Sequence, residues 1–296
     1  LQDNKNMIAA GKYFNPLPAL YLFPRGDDFD NVRLYQRWDE SRNLYTQAWD
    51  YGSGDMSFQN PYWIMNKMIN QTKKRRYMLS ANLKYDVTDW LDVTGRVKVD
   101  NADMDITEKR YAGTDTNFAG EKGMYSIIKR NDRQIYADAI ANIDLTFAGD
   151  YHLSANVGAS LKDVRMDFMG WGGDLRKIPN FFSITNISTT NYKEREDGSH
   201  IQSQSIFANV ELAWKSMLYL TVTGRNDWES ALAFSKYKSF FYPSVGLSAV
   251  VSEMVDMPEW FSFLKVRGSY SAVGSSYAAY LTKPYYDYKG QTHEWD

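Results

Sequence analysis

His152, His200 and His293 are the chain's three histidines; they lie far apart and form no H-x-x-x-H pair, so the spacing of a helical zinc site is missing. Cysteine is absent, which removes a thiol nucleophile, a disulfide framework, an iron–sulfur cluster and Cys-ligated zinc. Ser126-Ile127-Ile128-Lys129 fits the S-x-x-K pattern of serine acylases, yet it lacks the companion motifs and enters a strand pattern, so it reads as a chance match. Asp100, Asp103, Asp105 and Glu108 resemble a calcium loop at the wrong spacing and without the glycine that makes its sharp turn. They read as a solvated loop mouth, with weak cation binding left open. Gly52-Ser53-Gly54 is too short to cradle a phosphate and reads as a bend. No catalytic constellation emerges, so the expectation is a protein that is not an enzyme and carries no cofactor or metal.

Binding chemistry is better represented. Tyr 22, Phe 15 and Trp 9 make up 16% of a 296-residue chain whose mean hydropathy is −0.53. Rings with a polar edge suit surfaces that are half apolar and half wet. Trp38, Tyr45, Trp49, Tyr51, Tyr62 and Trp63 are the candidate ligand or partner contacts, with Tyr13, Phe14, Tyr21 and Phe23 in the same stretch. Mutual packing that holds a long loop compact is the alternative for any one of them. Lys+Arg 34 against Asp+Glu 36 leaves a net charge of −2, so no basic field recruits nucleic acid. The basic run Lys73-Lys74-Arg75-Arg76 reads either as a strand end kept soluble or as cations near anionic lipid head groups.

The elements that position these residues follow a period of two from Tyr77 onward. Ala81, Leu83, Tyr85 and Val87 share one face and Asn82, Lys84 and Asp86 the other. In 135–147 the odd positions Ile135, Ala137, Ala139, Ala141, Ile143, Leu145 and Phe147 are apolar. Asp138, Asn142 and Asp144 lie among the even ones. The same rule holds through 91–99, 151–161, 206–214 and 218–225, with two more strands at 239–251 and 261–273, giving about eight strands paired as hairpins. Connections at 88–89, 148–150 and 215–216 are tight and the one near 252–260 is modest, whereas those at 102–123, 170–200 and 229–238 are long. Short and long alternate strictly, as in outer-membrane barrels and unlike Greek-key sandwiches. Trp90, Phe147, Tyr151, Trp214 and Tyr219 sit beside the tight turns, where an interfacial aromatic girdle lies. No run of 18 apolar residues supplies a transmembrane helix, which leaves spanning by strands open.

The fold class expected is therefore all-β: an antiparallel transmembrane β-barrel fragment with long extracellular loops. Residues 1–70 alternate poorly and read as an extracellular loop region, and 71–296 as part of the barrel. Leu1 opens the chain without a methionine or an export signal, so the sequence reads as a piece of a longer chain. Arg96, Lys98, Asp138, Asn142, Asp144 and Arg225 fall on the polar face and are the candidate lumen-facing residues.

Several strings carry a resemblance. Asn60-Pro61-Tyr62-Trp63 precedes the first long strand, and Lys84-Tyr85-Asp86-Val87-Thr88-Asp89-Trp90-Leu91 leads into Val93-Thr94-Gly95-Arg96. Thr223-Gly224-Arg225-Asn226-Asp227-Trp228, Phe241-Tyr242-Pro243-Ser244-Val245-Gly246-Leu247-Ser248 and Leu264-Lys265-Val266-Arg267-Gly268-Ser269-Tyr270-Ser271-Ala272-Val273-Gly274 follow. These resemble the barrel of the SusC/RagA family of TonB-linked outer-membrane proteins of Bacteroidetes, over nearly the whole chain.

The resemblance implies an energised importer in the outer membrane of a Gram-negative bacterium. Such barrels have about 22 strands, an N-terminal plug, a TonB-contacting segment and a SusD-like surface lipoprotein as partner. They take up oligosaccharides or, in the RagA branch, peptides. The plug and TonB segment fall outside this chain, so contact with the TonB complex runs through residues not included here. A surface β-rich binding module without transport is the alternative from another class.

Overall fold

The computed structural model describes residues 2–3, 8–9, 12–13, 16–21, 23–51, 59–258 and 260–283. Gly52-Ser53-Gly54, Phe14 and His293 lie outside the described residues, as does the Tyr13 side chain. The chain begins with short elements: β1 (Gln2–Asp3), β2 (Ile8–Ala9), β3 (Lys12–Tyr13), helix α1 (Leu17–Tyr21), the hairpin β4 (Gln36–Asp39) and β5 (Leu44–Gln47), and helix α2 (Pro61–Lys67). Long strands follow: β6 (Met68–Thr88), β7 (Leu91–Tyr111), β8 (Gly123–Phe147), β9 (Tyr151–Leu175) and β10 (Ile187–Trp214). The series ends with β11 (Leu218–Glu229), β12 (Ser239–Val250) and β13 (Lys265–Ser271). Each long strand neighbours the next in one sheet, with β1 outside β6. The eight strands and their antiparallel order match the sequence reading, and among the described residues the sheet order runs from β1 to β13.

The strands run further than their hydrophobic alternation. The connections expected at 102–123 and 170–200 shrink to 112–122 and 176–186, because β7, β8, β9 and β10 continue through them. Backbone pairing needs a neighbour on each side and no apolar face, so the ladder persists where both faces turn polar and periodicity fades. The short–long alternation holds as far as the 230–238 connection and fails at the last one. β12 ends at Val250 and β13 begins only at Lys265, so 251–264 is the longest connection in the series rather than a modest one. Ala148 and Gly149, and likewise Lys215 and Ser216, have positive φ, the backbone hand that matches hairpin twist. At Gly149 that hand suits glycine, which has no Cβ to clash.

The residues sort into two compact units. One contains Leu1–Tyr77, Ala102–Asp132 and Met166–Gly198. Its core is Trp63, Ile64, Met68 and Phe118, flanked by Tyr35 and Tyr111. Asn60 explains why the Asn-Pro-Tyr-Trp string sits here. Its side-chain oxygen accepts from Tyr62 and Trp63 N–H, capping α2, with Pro61 in the first turn where no N–H is needed. Its amide donates to Val32 O at 2.9 Å and Ala48 O at 3.0 Å, tying three segments together from a fully buried position.

The other unit contains Met78–Asn101, Arg133–Arg165 and Ser199–Asp296. Its register carries like residues across strands. Val210 pairs with Val222, Val222 with Val245 and Val245 with Tyr270, giving one apolar row. One residue along, Glu211, Thr221, Gly246 and Ser269 form a polar one. A one-residue slip would exchange the two faces, so the apolar pattern fixes the pairing.

Candidate functional site

The polar face of the second unit holds several paired charges. Arg96 donates from Nε to Asp138 Oδ1 at 3.0 Å and from Nη2 to Oδ2 at 2.8 Å. The Asp138 side chain is 0% exposed and that of Arg96 53%. Four residues away on both strands, Asn142 Nδ2 donates to Asp92 Oδ1 at 2.8 Å, so one register aligns both pairs on one face. Arg225 donates to Asp227 at 2.6 Å and to Ser205 Oγ at 2.9 Å, with its guanidinium 5.7 Å from the Phe207 ring centre.

Of the six residues read as lumen-facing, the structure joins Arg96 to Asp138 directly and aligns Asn142 with them. Lys98 is exposed two residues from Arg96, and Asp144 lies 3.7 Å from His152. Arg225 belongs to a separate cluster on β10 and β11.

Aromatics mark the tight-turn ends of the same unit. Phe147 and Tyr151 stack across the 148–150 turn at 5.6 Å and 14°. Lys215 Nζ lies 5.3 Å from the Trp214 ring centre and Lys265 Nζ 4.9 Å from that of Tyr219. Long cationic side chains laid along rings in this way suit a boundary between apolar and polar surroundings.

The first unit sorts the aromatic candidates. Trp63 is 1% exposed and its Nε1 donates to Thr114 Oγ1 at 3.0 Å, so the expectation that it contacts a ligand gives way to a core role. Trp49 and Tyr51 meet edge-to-face at 5.1 Å and Tyr62 is half-buried. Burial and a hydrogen bond to Asp27 raise the Tyr51 hydroxyl above the usual phenol range. Trp38 and Tyr45 are paired in the β4–β5 register, 49% and 51% exposed, and meet edge-to-face at 5.1 Å and 73°.

Their hairpin is clamped from behind. Gln47 N–H reaches Gly113 O at 3.5 Å, and a Cβ on Gly113 would lie 2.6 Å from Thr46 Cα. The chain can approach this closely only at glycine, which also has a φ of +93° here.

Several motif readings change with the strands. Asp100, Asp103, Asp105 and Glu108 lie on β7 rather than in a loop mouth, and alternation sends Asp103 and Asp105 to one face and Asp100 and Glu108 to the other. Asn131 donates to Asp103 at 2.7 Å, Arg75 lies 3.8 Å from Asp105, and Glu108 pairs with Arg110. Ser126 and Lys129, three residues apart on β8, face opposite ways, which ends the acylase match. The basic run lies on β6, so Lys73 and Arg75 part from Lys74 and Arg76. His200 Nε2 lies 2.7 Å from Asp163 Oδ2, which also accepts from Gln202 at 2.8 Å.

A cavity escaped the sequence reading. Glu108 on β7, Ser126 on β8 and Asp174 on β9 line a space of about 350 Å³ with Phe118 of the 112–122 connection. The stretch 170–200 reads as loop, which hides the alternation of Gly170, Gly172 and Asp174 on a strand. That glycine spacing is the signal that could have revealed it.

Comparison with known proteins gives a consistent set. A family model described as "TonB dependent receptor-like, beta-barrel" matches residues 18–290. TonB-dependent receptor P26 of Formosa agariphila is 24% identical over 246 residues, covering 78% of this chain and 24% of that protein. Among solved structures, the RagAB peptide importer in its open-open state superimposes with a TM-score of 0.65 at 16% identity, over 75% of this chain and 24% of that one. The RagAB peptide transporter gives 0.59 at 16% identity, over 75% and 25%. The chain thus spans about a quarter of the length of the proteins it matches.

Proposed function

This chain belongs to the TonB-dependent receptor-like β-barrel family of the outer membrane, and from that premise we propose that it walls the conduit through which such a receptor imports oligosaccharides. The family is one of receptors and transporters rather than enzymes. The observation that carries the proposal is the segregation of the sheet: Val210, Val222, Val245 and Tyr270 form an apolar row beside the polar Glu211, Thr221 and Ser269. Alternating faces of this kind suit lipid on one side and water on the other. On this reading Arg96, Lys98, Asp138, Asn142, Asp144 and Arg225 hydrate the lumen. Residues 1–70 contribute extracellular structure, and 71–296 the barrel.

Within the first segment, Trp38 and Tyr45 support contact with cargo or with a SusD-like lipoprotein, and Trp49, Tyr51 and Tyr62 support the platform beneath. Energy coupling on this reading runs through the TonB complex. A peptide cargo is the second reading, favoured by the fold likeness to a peptide importer.

The test uses the full-length receptor in its native outer membrane. Uptake of fluorescent neutral oligosaccharides that is lost on deletion of the gene and on collapse of the proton-motive force supports the proposal. Uptake of labelled tetrapeptides alone sinks the oligosaccharide reading, and uptake of neither class sinks the importer reading.

A further inference from the structure

We propose that the cavity framed by Glu108, Ser126, Asp174 and Phe118 is a subsite for one neutral sugar ring of the cargo; the inference rests on the oligosaccharide reading above. Ser126 on β8 is two residues from both Met124 and Ile128, and Gly172 and Asp174 on β9 are likewise two apart. Even steps along a strand keep side chains on one face, so these groups converge. The volume, about 350 Å³, lies at the small end of the range for small-molecule sites.

The walls combine an apolar side with fixed acceptors. Phe118, packed in the first unit's core, closes the space with an apolar wall. Asp174 Oδ1 accepts Gly120 N–H at 2.8 Å, which fixes the carboxylate and leaves Oδ2 as an acceptor for a ligand hydroxyl. A Cβ on Gly120 would lie 2.8 Å from Asp174 Cγ, so glycine there is what lets the carboxylate approach. Glu108 is held by Arg110, whose guanidinium also donates to Phe118 O. That partner balances the Glu108 charge and anchors the aromatic wall at the same time. Ser126 Oγ sits where a Cβ on Gly172 would come within 2.7 Å, so the glycine keeps room for the hydroxyl.

Ligand class follows from this inventory. Two carboxylates and a hydroxyl accept hydrogen bonds from ring hydroxyls, and the remaining negative charge opposes a uronate or phosphate. Among the described residues no group of three or more His, Cys, Asp or Glu could hold a metal ion, so these carboxylates do not read as a cation cage.

The full-length receptor, purified in detergent, is titrated calorimetrically with neutral tetrasaccharides (malto-, xylo- and manno-), with a uronic-acid tetramer and with a tetrapeptide mixture. The expectation is that at least one neutral tetrasaccharide binds and that Asp174→Asn and Glu108→Gln each weaken it by about tenfold to a hundredfold, the loss of one charge-assisted hydrogen bond. Ser126→Ala, which removes a hydroxyl without touching the ion pair, is expected to weaken it several-fold and serves if the carboxylate variants do not fold. Unchanged affinity for the neutral sugar in the folded variants overturns the subsite while leaving the oligosaccharide reading intact. A uronate bound more tightly than the neutral sugars overturns the subsite's ligand class. Binding of the tetrapeptides alone overturns both readings.

Discussion

Arg96 and Asp138 meet across β7 and β8 through paired hydrogen bonds of 3.0 and 2.8 Å, with the carboxylate buried and the guanidinium half exposed to solvent. The asymmetry sets what each deletion does. Arg96→Ala leaves a buried carboxylate without its guanidinium partner, which destabilises the fold more than losing an exposed pair does. Asp138→Asn keeps an oxygen that can accept from Arg96 and removes the charge, so it costs less. Heat-modifiability of the full-length barrel on gels, scanned over temperature, reads the difference. A larger loss in Asp138→Asn than in Arg96→Ala contradicts the assignment.

Ala139 and Asn142 test which face meets hydrocarbon. Alternation puts Ala139 with the apolar positions of β8, and Asn142 aligns with the Arg96–Asp138 pair. An arginine on the lipid side costs roughly 2–4 kcal/mol at the bilayer midplane and far less on the lumen side. Ala139→Arg is therefore expected to cut the amount of assembled full-length receptor in outer-membrane fractions several-fold, and Asn142→Arg to leave it near wild type. Equal assembly of the two variants rules the assignment out.

Trp63 and Trp38 separate packing from contact. Trp63 is sealed in the first unit's core and bonded to Thr114, and truncating such a ring to alanine costs about 3–5 kcal/mol. Trp38 is half exposed and meets Tyr45 edge-to-face, so Trp38→Ala is expected to stay within about 0.5–1.5 kcal/mol, the range for an aromatic pair. Protease resistance of intact cells' surface loops is expected to fall in Trp63→Ala and to persist in Trp38→Ala. Cargo or lipoprotein binding is expected to drop in both. Wild-type protease resistance in Trp63→Ala would show that the ring is not part of the core.

These contrasts also show where the sequence was readable. In the second unit, hydrophobicity repeats every second residue because each strand has two unlike faces, and the observed register joins like with like from Val210 to Tyr270. In the first unit that signal is absent. Both faces of β7 near Asp103 and Glu108 are polar, so strand continuation reads as loop, and the pocket residues Glu108, Ser126 and Asp174 fall within or beside the expected connections. Trp63 and Trp38 have the same composition signal and opposite burial. What separates them is Asn60, whose amide ties Val32 and Ala48 to the start of α2, a long-range contact that periodicity does not encode.

The β4–β5 hairpin carries a pH dependence with a definite sign. Asp39 Oδ1 accepts the Ser41 hydroxyl at 2.6 Å, Ser41 N–H at 3.0 Å and Arg42 N–H at 3.3 Å. The Ser41 hydroxyl bond, with the two backbone donors and the Arg42 charge, holds the carboxyl below the usual aspartate range. A depressed folded-state pKa stabilises the turn above the unfolded value, about 3.9, and that contribution is lost as pH falls through the folded value. The turn that presents Trp38 and Tyr45 is thus expected to hold unchanged from neutral pH down to about 4 and to loosen below it. The difference in fluorescence between wild type and Trp38→Phe isolates the reporting ring. It is expected to be flat above that pH and to step below it, and Asp39→Asn is expected to abolish the step. A step centred well above the ordinary aspartate value, or one retained in Asp39→Asn, shows that another group governs the hairpin.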